Sequence, residues 1–486
     1  MLRHSRTLAL LLAATLFSSL SLAGPAFENT AIVRSVELGG SLVHLSTTYA
    51  IKALEPGQTV YHIALGKDER EKTSWIEAKV KGQMKPLAIT ELGEDETSTA
   101  HLLAVTFPKT LAINGTVNLV LETIQTHSTH PHPERASQSD PQLLKYNTDL
   151  FILSPYTTLV QRTKLKSPSP NIISYSTPEG VDGFVRDGSV TKSGPSITYG
   201  PYHNVGPSVN LEFLSKYQQP ISVHYNFDHP VLEITNLERS AEISHWGSNL
   251  NIEDKINLHN AGPILKGHFS RLEHQSQNFF RRLSPHILSD LTLHLPPGVT
   301  NVYFNDLNGN VSTSHLRPAP SVPKASKTHQ YSILEMRPRY PLLGGWNYSF
   351  TLGFDTPLQD SVSWDATEEK YIVGVPVMTY IPGSVVDEAK VKIILPEGAT
   401  DIEFISPFPA LSSTISTHIT YLDTTGRPAV SLTYKDLTER HAAMIFVSYK
   451  VPFAAHMKKP VAVGGAFLSF FLFGITARRI NLRLHK

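Results

Sequence analysis

A two-residue alternation of apolar and polar side chains recurs along this chain of 486 residues and limits the folds open to it. The alternation is clear at residues 223–227, 291–295, 348–354, 430–434 and 445–451. Because successive side chains of a β-strand point to opposite faces, this pattern predicts strands with one face on a core. Sustained helical periodicity is scarce, and we expect helix only in part of residues 269–291. The sequence therefore predicts a mainly β chain built from antiparallel, β-sandwich-like domains.

Apolar stretches at both ends of the chain predict that it is targeted to a membrane and anchored there. Residues 1–23 have the order of a secretory signal peptide: a basic start, an apolar run, and small residues before a cut after Ala23. A signal anchor is the alternative interpretation of this segment. Residues 460–477 carry no charge and would span about 27 Å as a helix, which matches the thickness of the ER bilayer. They predict a transmembrane helix, with a buried core helix as the alternative.

The two ends together predict a type I membrane protein. Four basic residues follow the apolar stretch and two lie in the nine residues before it, which places the tail, 478–486, in the cytosol. The bulk of the chain would then be lumenal, and we place one β domain at 24–225 and a second at 226–457. The chain has no cysteine, so these domains have to be stable without disulfides.

Charge and motif content exclude several classes of function. Lys and Arg number 43 and Asp and Glu 42, so the chain lacks the cationic excess of a nucleic-acid binder. The motifs of P-loop enzymes, dinucleotide-binding folds, serine hydrolases and zinc proteases do not occur. His127, His130 and His132 could bind a transition metal, but they lie in a polar segment broken by proline. The acidic run at 91–96 is typical of a solvated loop. We therefore predict no catalytic residue, no cofactor and no metal site.

Three Asn-x-Ser/Thr triplets offer candidate N-glycan acceptors at Asn114, Asn310 and Asn347. Such triplets also arise by chance, and each requires an exposed asparagine. Asn310 follows an Asn-Gly pair that is typical of an exposed turn, whereas Asn347 follows Trp346 and could be partly buried.

A short internal repeat links residues 291–304 with 391–404, which share Leu, Pro, Gly, Thr and Phe at an offset of 100. Each copy predicts a strand, a Pro-x-Gly turn and a second strand. Duplicated modules would explain the match, and so would two independent uses of a common turn. One short match favours the second explanation slightly.

Six ordered blocks carry a family resemblance: SHWG at 244–247, NAGPILKGHFSR at 260–271, GNVSTSH at 309–315, RPRYPLLGGW at 337–346, VKIILPEGA at 391–399 and YLDTTGRP at 421–428. With the signal peptide, the single span and the short tail, they make the chain resemble the ribophorin I family of ER oligosaccharyltransferase subunits, in a fungal-type form. The resemblance is looser from residue 24 to about 225.

The resemblance implies a non-catalytic role. In this family the complex transfers a lipid-linked oligosaccharide to Asn-x-Ser/Thr in the ER lumen, and a separate polytopic subunit carries the active site. The ribophorin-like subunit would support assembly and substrate presentation. The implied partners are that catalytic subunit, other subunits of the complex, nascent polypeptides and the ER membrane. The alternative function is a membrane-tethered lumenal chaperone or lectin-like binding module, and a tethered hydrolase is disfavoured by the missing motifs.

Residue type identifies four interface candidates in the lumenal part: Trp246, Arg337, Arg339 and Trp346. The two arginines could pair with carboxylates of a partner or satisfy local groups around their turn. Trp246 could anchor an interface or close a core. Small residues on one face of the predicted span would allow close helix packing in lipid: Ala462, Gly465, Ala466 and Ser469.

Overall fold

The alternating segments form strands in the structure, a computed structural model that describes residues 26–94, 100–186, 188–280, 284, 286–321, 331–420, 423 and 425–479. Leu291–Leu295, for example, alternates buried leucines with exposed Thr292 and His294. The prediction of a mainly β chain is confirmed. The predicted signal peptide, 1–23, and the part of the predicted tail beyond Arg479 lie outside the described residues.

The chain divides into two compact units. Unit 1 comprises Met1–Val231 and Ala261–His286, and unit 2 comprises Leu232–Asn260 and Ile287–Lys486. The sequence placed one boundary near residue 225 and did not foresee the return of Ala261–His286 to unit 1. Hydrogen bonds to Gln138 hold the returning segment in unit 1. The side-chain amide of Gln138 bonds the backbone N–H and carbonyl of Ser270, and the backbone carbonyl of Gln138 accepts from the Ser284 hydroxyl.

Unit 1 begins with a seven-stranded sandwich, module 1. Its strands are β1 (Phe27–Glu37), β2 (Leu42–Ala53), β3 (Gln58–Leu65), β4 (Thr73–Val80), β5 (Ala88–Glu94), β6 (His101–Leu111) and β7 (Thr116–Thr126), with the short helix α1 (Lys67–Lys72) before β4. The order β1-β2-β7-β4 forms one sheet and β3-β6-β5 the other. The core between them includes Ile32, Tyr61 and Leu121.

Module 2 completes unit 1. It contains β8 (Thr129–Pro131), β9 (Arg135–Ala136), β10 (Leu143–Asp149), β11 (Thr158–Lys166), β12 (Ile172–Tyr175), a 3₁₀ turn (Asp182–Phe184), β13 (Val190–Ser193), β14 (Ser196–Val205), α2 (Leu211–Tyr217) and β15 (Pro220–Asn226). Its sheets have the orders β8-β10-β15-β12 and β11-β14-β13.

Module 3 opens unit 2 and is interrupted by the returning segment. In chain order, the elements of this stretch are β16 (Leu232–Ser244), β17 (Asn249–Asn260), β18 (Ile264–Leu265), α3 (Arg271–Phe279), β19 (Leu291–Leu295), β20 (Thr300–Asp306), β21 (Gly309–Asn310), β22 (Ser314–Arg317), β23 (Ser332–Met336) and β24 (Asn347–Pro357). Strand β18 and helix α3 belong to unit 1, where β18 pairs with β9. Helix α3 lies within the stretch expected to be partly helical.

Module 4 follows, and the C-terminal helix ends the described chain. The elements are α4 (Leu358–Ser361), β25 (Val362–Asp365), β26 (Lys370–Pro376), β27 (Ser384–Ile394), β28 (Thr400–Ile405), β29 (Ser412–His418), β30 (Arg427–Leu437), a 3₁₀ turn (Glu439–His441), β31 (Met444–Lys450) and α5 (Phe453–Arg479).

All four modules share one topology. Counting the main strands of a module from one to seven, strands 1-2-7-4 form one sheet and strands 3-6-5 the other, as in β16-β17-β24-β20 with β19-β23-β22 and in β25-β26-β31-β28 with β27-β30-β29. Within each unit, strand 1 of the first module pairs in parallel with strand 3 of the second, β1 with β11 and β16 with β27. The two units are therefore two copies of one two-module arrangement.

The internal sequence repeat occupies the same place in modules 3 and 4, namely the connection from strand 3 to strand 4. Gly298 and Gly398 both have positive φ angles, 72° and 83°. Asn301 and Asp401 do as well, at 52° and 54°. Pairing of the following strand shifts at the same point in both copies. Shared topology and shared backbone conformation favour duplicated modules, the explanation that one short match had disfavoured.

A buried arginine lies at each parallel join. Arg34 in β1 and Arg239 in β16 are each 1% exposed. Arg34 donates to the carbonyl of Asp149, the last residue of β10, and Arg239 to the carbonyl of Pro376, the last residue of β26, each at 2.7 Å. The accepting residue ends strand 2 of the second module in both units. The same polar contact thus fixes both joins.

Candidate functional site

Helix α5 contains the whole predicted span, 460–477, and starts seven residues earlier, at Phe453. It has 27 residues, which is about 40 Å of helix, and is long and apolar enough to cross a membrane. None of its residues is buried against the rest of the chain. The surroundings of its first two turns form the candidate site.

Two lysines attach the start of α5 to module 4. Lys458 and Lys459 lie 3.5 Å and 3.4 Å from carboxylate oxygens of Glu397, and Lys459 lies 3.4 Å from Asp423. Glu397 belongs to the turn between β27 and β28. The Asp423 side chain is inaccessible to solvent, and burial alone would raise its pKa. Hydrogen bonds from Thr420 and Arg427 outweigh burial and hold the pKa of Asp423 below its usual value, so this partner of Lys459 is ionised.

The same turn approaches the helix backbone. A Cβ atom on Gly398 would lie 2.6 Å from the Cβ of Ala455, closer than side chains tolerate. Gly398 also has a positive φ angle, which L side chains adopt at a cost. Glycine at this position therefore lets the turn contact α5 directly, between the helix start and its two lysines.

An aromatic cluster also contacts the helix start. The His245 ring stacks on His456 of α5 at 5.4 Å between centroids and meets the edge of Tyr371 at 4.6 Å. Its Nε2 lies 2.8 Å from the Tyr449 hydroxyl. Burial, with a smaller contribution from His456, lowers the pKa of His245 to about 4. The ring is thus neutral at neutral pH and adds no charge beside the apolar helix.

Two tryptophans lie at the edge of this cluster. Trp246, in the turn after β16, is 66% exposed, and Trp364 in β25 is 53% exposed. The Trp364 ring lies 4.7 Å from the ring of Tyr371. A cavity of about 450 Å³ is lined by Trp246 together with His456 and Met457 of α5. Trp246 is therefore outside the core, which contradicts the core alternative considered for it.

We call four exposed side chains the helix-start surface: Trp246, Trp364, Phe453 and Met457. Phe453 is 76% and Met457 40% exposed. These two are four residues apart in α5 and so share one helix face. The surface is apolar, and the charged lysines at the same level of the helix are engaged by module 4.

The other interface candidates lie in module 3. Arg339 donates two hydrogen bonds to Asp306, at 2.6 Å and 3.0 Å, and hydrogen bonding by Arg339 is the main cause that lowers the pKa of Asp306. Arg337 is exposed. Trp346 is half-buried beside the Tyr340 ring, at 6.1 Å. Arg339 therefore serves a pair within its own module.

All three candidate glycan acceptors are exposed. Asn114 lies in the turn between β6 and β7 with φ 60°, and Asn310 ends the short strand β21. Asn347 starts β24, and its Oδ1 lies 2.6 Å from Nδ1 of His259. The partial burial considered as an alternative for Asn347 does not occur.

The small residues of α5 remain uncovered along the predicted span. Ala462, Gly465, Ala466 and Ser469 are all exposed. The Ser469 hydroxyl donates to the carbonyl of Gly465 at 2.8 Å, so it is satisfied inside the helix. This face offers a shallow surface of small side chains to another helix.

The histidines of the polar segment lie in and around module 2. His130 is in β8, and the ring of His132 contacts the ring of His224 at 5.2 Å between centroids. The backbone carbonyl of His132 lies 2.7 Å from Nε2 of His224.

Sequence reasoning named Trp246 but missed the residues that support it. His245, Tyr371 and Tyr449 come from three distant parts of the chain, so no local pattern links them. One signal in the sequence could have pointed to the site: Lys458 and Lys459 directly precede the apolar stretch. Two charged ammonium groups at that position have to be hydrated or paired with carboxylates.

Comparison with known proteins gives a consistent result. The family model described as Ribophorin I matches residues 27–478. The chain is 35% identical over 364 residues to dolichyl-diphosphooligosaccharide–protein glycosyltransferase subunit 1B of Oryza sativa subsp. japonica, covering 74% of this chain and 70% of that protein. It is 27% identical over 483 residues to dolichyl-diphosphooligosaccharide–protein glycosyltransferase subunit 1 of Caenorhabditis elegans, covering 96% of this chain and 76% of that protein.

Among solved structures, an M1 zinc metallopeptidase of Deinococcus radiodurans covers 44% of this chain and 42% of its own, with a TM-score of 0.26 and 11% identity. A likeness of that size carries no inference about this chain.

Proposed function

Because the chain belongs to the ribophorin I family, we propose that it is subunit 1 of an oligosaccharyltransferase complex, which N-glycosylates nascent proteins at Asn-x-Ser/Thr in the ER lumen. The observation that carries the proposal is the extent of the family match, which covers all four modules and α5. The role is accessory: a separate polytopic subunit performs the transfer, and this chain supports assembly and substrate presentation.

The proposed topology follows from the same assignment. All four modules lie in the ER lumen, residues 460–477 cross the membrane, and residues 478–486 are cytosolic. The lysine contacts to Glu397 and Asp423 support this arrangement, because they attach the helix to module 4 just before the uncharged stretch begins. A folded module held at the start of the span is then kept at a fixed height above the bilayer.

We propose that the small face of α5 packs against a membrane helix of another subunit. Small side chains let two helices approach closely, which favours van der Waals contact in lipid. Gly465 belongs to this face. At about 100° of rotation per residue, its neighbour Gly464 lies about 150° from the middle of the face and so falls outside it. The two glycines therefore form a matched pair for a substitution test.

The test starts with acute depletion of the chain, which should leave secretory glycoproteins under-glycosylated. Re-expressed wild-type chain should restore glycan occupancy and co-purify in mild detergent with a polytopic glycosyltransferase. Gly465→Leu should reduce the recovery of that partner several-fold, because the leucine separates the helices, whereas Gly464→Leu should not.

Normal glycan occupancy after depletion would refute the proposed function. Equal recovery of the partner with Gly464→Leu and Gly465→Leu would refute the helix contact alone. Binding of unfolded clients or glycans by the chain without any complex would point instead to the chaperone or lectin alternative.

A further inference from the structure

We propose that the helix-start surface lies in the headgroup region of the bilayer, so that module 3 and module 4 contact lipid directly beside α5. The partner is the lumenal leaflet of the membrane that the helix crosses. The inference rests on the membrane-spanning role of α5 in the proposed function, and it adds a second point of contact between the folded modules and the membrane.

The first step is exposure. Trp246, Trp364 and Phe453 are each more than half exposed, and Met457 is 40% exposed. Single exposed apolar residues are ordinary, but a group of large ones at one place marks a surface that is covered in the working protein. Indole rings in particular favour a site with an apolar side and a wet side.

The second step is depth. Trp246 lines one cavity with Ala455, His456 and Lys459, so its ring lies level with that turn of α5. The uncharged stretch begins at residue 460, about 6 Å farther along the helix axis from His456 at 1.5 Å per residue. The polar zone on each side of a bilayer is roughly 5–7 Å thick. Trp246 therefore falls within the zone in which tryptophan is enriched in membrane proteins.

The third step is rigidity. Trp364 rests on Tyr371, and Tyr371 contacts His245, which in turn stacks on His456 of the helix. This chain of rings connects the edge strand β25 to α5. Because these rings contact one another, the Trp364 indole keeps a fixed height relative to the span, and Trp246 directly follows the stacked His245 in the chain.

The fourth step is charge. Lys458 and Lys459 are at the same level, but their ammonium groups are directed to Glu397 and Asp423. The two carboxylates balance the charge of the two lysines, so this part of the surface adds little net positive charge to attract anionic lipid. Contact through the indoles should therefore be similar in neutral and anionic bilayers, which separates it from electrostatic adsorption.

The experiment uses the full chain in phosphatidylcholine vesicles, with tryptophan fluorescence quenched by lipids brominated either near the headgroup or near the end of the acyl chain. The chain has four tryptophans, so single-tryptophan variants are made by Trp→Phe changes at the other three positions. Variants retaining only Trp246 or only Trp364 report on the surface.

Trp346 provides the matched control. Its carbonyl accepts from the backbone N–H of Asn260, at the end of β17 opposite to the turn that holds Trp246. Eleven residue steps of a strand separate those ends by about 36 Å at 3.3 Å per residue. A variant retaining only Trp346 should therefore stay unquenched.

We expect headgroup-proximal bromines to quench Trp246 and Trp364 several-fold more than Trp346, with weaker quenching by bromines near the chain end and the same result with phosphatidylglycerol added. Equal quenching of Trp246 and Trp346 would overturn the inference, as would a strict requirement for anionic lipid. Loss of Trp246 quenching in the purified complex alone would show that another subunit covers this surface, and would also overturn it.

Failure of the proposed function gives a different result. Resistance of the vesicle-bound chain to alkaline extraction tests the span itself, without reference to fluorescence. A chain that resists extraction but shows no quenching of Trp246 keeps its membrane helix and loses only the lipid contact. A chain that alkali removes has no span, and the premise is then wrong.

Discussion

At the scale of single residues, the two buried arginines show how the free-energy cost of burying a charged group is offset. Arg239 donates to both carboxylate oxygens of Asp254, at 2.6 Å and 2.5 Å, and to the Thr379 hydroxyl. Both side chains of the ion pair are fully inaccessible. Arg34 is as buried, but its carboxylate partner, Glu69, lies 3.7 Å away. Burial raises the pKa of Glu69, and the nearby Arg34 only partly offsets that shift. The join in unit 2 is therefore the better compensated.

Asp254→Ala should destabilise the protein strongly, because it leaves the Arg239 guanidinium buried without a counter-charge. Breaking a buried pair in this way costs about 3–5 kcal/mol. The measurement is the urea midpoint of the detergent-solubilised full chain. Glu388→Ala is the control: Glu388 pairs with Lys390 at the surface, where each side chain is about half exposed, and such pairs contribute about 0–1 kcal/mol.

The double variant Arg239→Met/Asp254→Leu should recover most of the loss, since apolar replacement of a buried pair is often neutral or stabilising. If Asp254→Ala shifted the midpoint no more than Glu388→Ala, the pair would not be a buried ionic contact.

At the scale of elements, the connection from strand 3 to strand 4 makes different contacts in modules 3 and 4. In module 3 the turn glycine, Gly298, faces Ser321. In module 4 the equivalent Gly398 faces Ala455 of α5, and the preceding Glu397 binds the helix lysines. The same turn thus packs against its own module in module 3 and contacts the start of α5 in module 4.

Gly398→Ala should lower the free energy of unfolding by more than Gly383→Ala. Both glycines have positive φ, 83° and 75°, so both changes carry a backbone cost of about 1–2 kcal/mol. Only at Gly398 does the new Cβ also meet another side chain, because no atom lies within 4 Å of a Cβ at Gly383.

Thermal unfolding of Gly398→Ala, of Ala455→Gly and of the double variant Gly398→Ala/Ala455→Gly, each compared with the wild-type chain, forms a double-mutant cycle. We expect positive coupling, with the second change relieving the contact. Purely additive effects would mean that the turn does not touch the helix.

At the scale of the whole molecule, the sequence revealed strands but not their partners. Alternation located β19, β24 and β30 correctly because each has one buried face, which is a local property. The parallel joins and the return of Ala261–His286 to unit 1 depend on contacts between distant residues, and neither leaves a period in the sequence. The four-module repeat was visible only as one short match, because topology persisted where side chains diverged.

The candidate site was predictable to a similar extent. Trp246 was named from its residue type, and the span from its lack of charge. The cluster of His245, Tyr371 and Tyr449 required the fold, since these residues lie on strands or turns more than 70 positions apart. Arg339 shows the opposite case, in which a residue type enriched at interfaces is used inside its own module.

The orientation of the whole chain can be tested through its sequons, because N-glycans are added only in the lumen. Asn114 belongs to unit 1, Asn310 and Asn347 to unit 2, and all are exposed. We expect each Asn→Gln variant to lose one endoglycosidase-sensitive increment in gel mobility. Ser312→Ala, which keeps Asn310 but removes its sequon, should match Asn310→Gln. The contrary outcome is a chain that carries no glycan and whose four modules are digested by protease added outside sealed microsomes. That result would place the modules in the cytosol and would contradict the proposed topology.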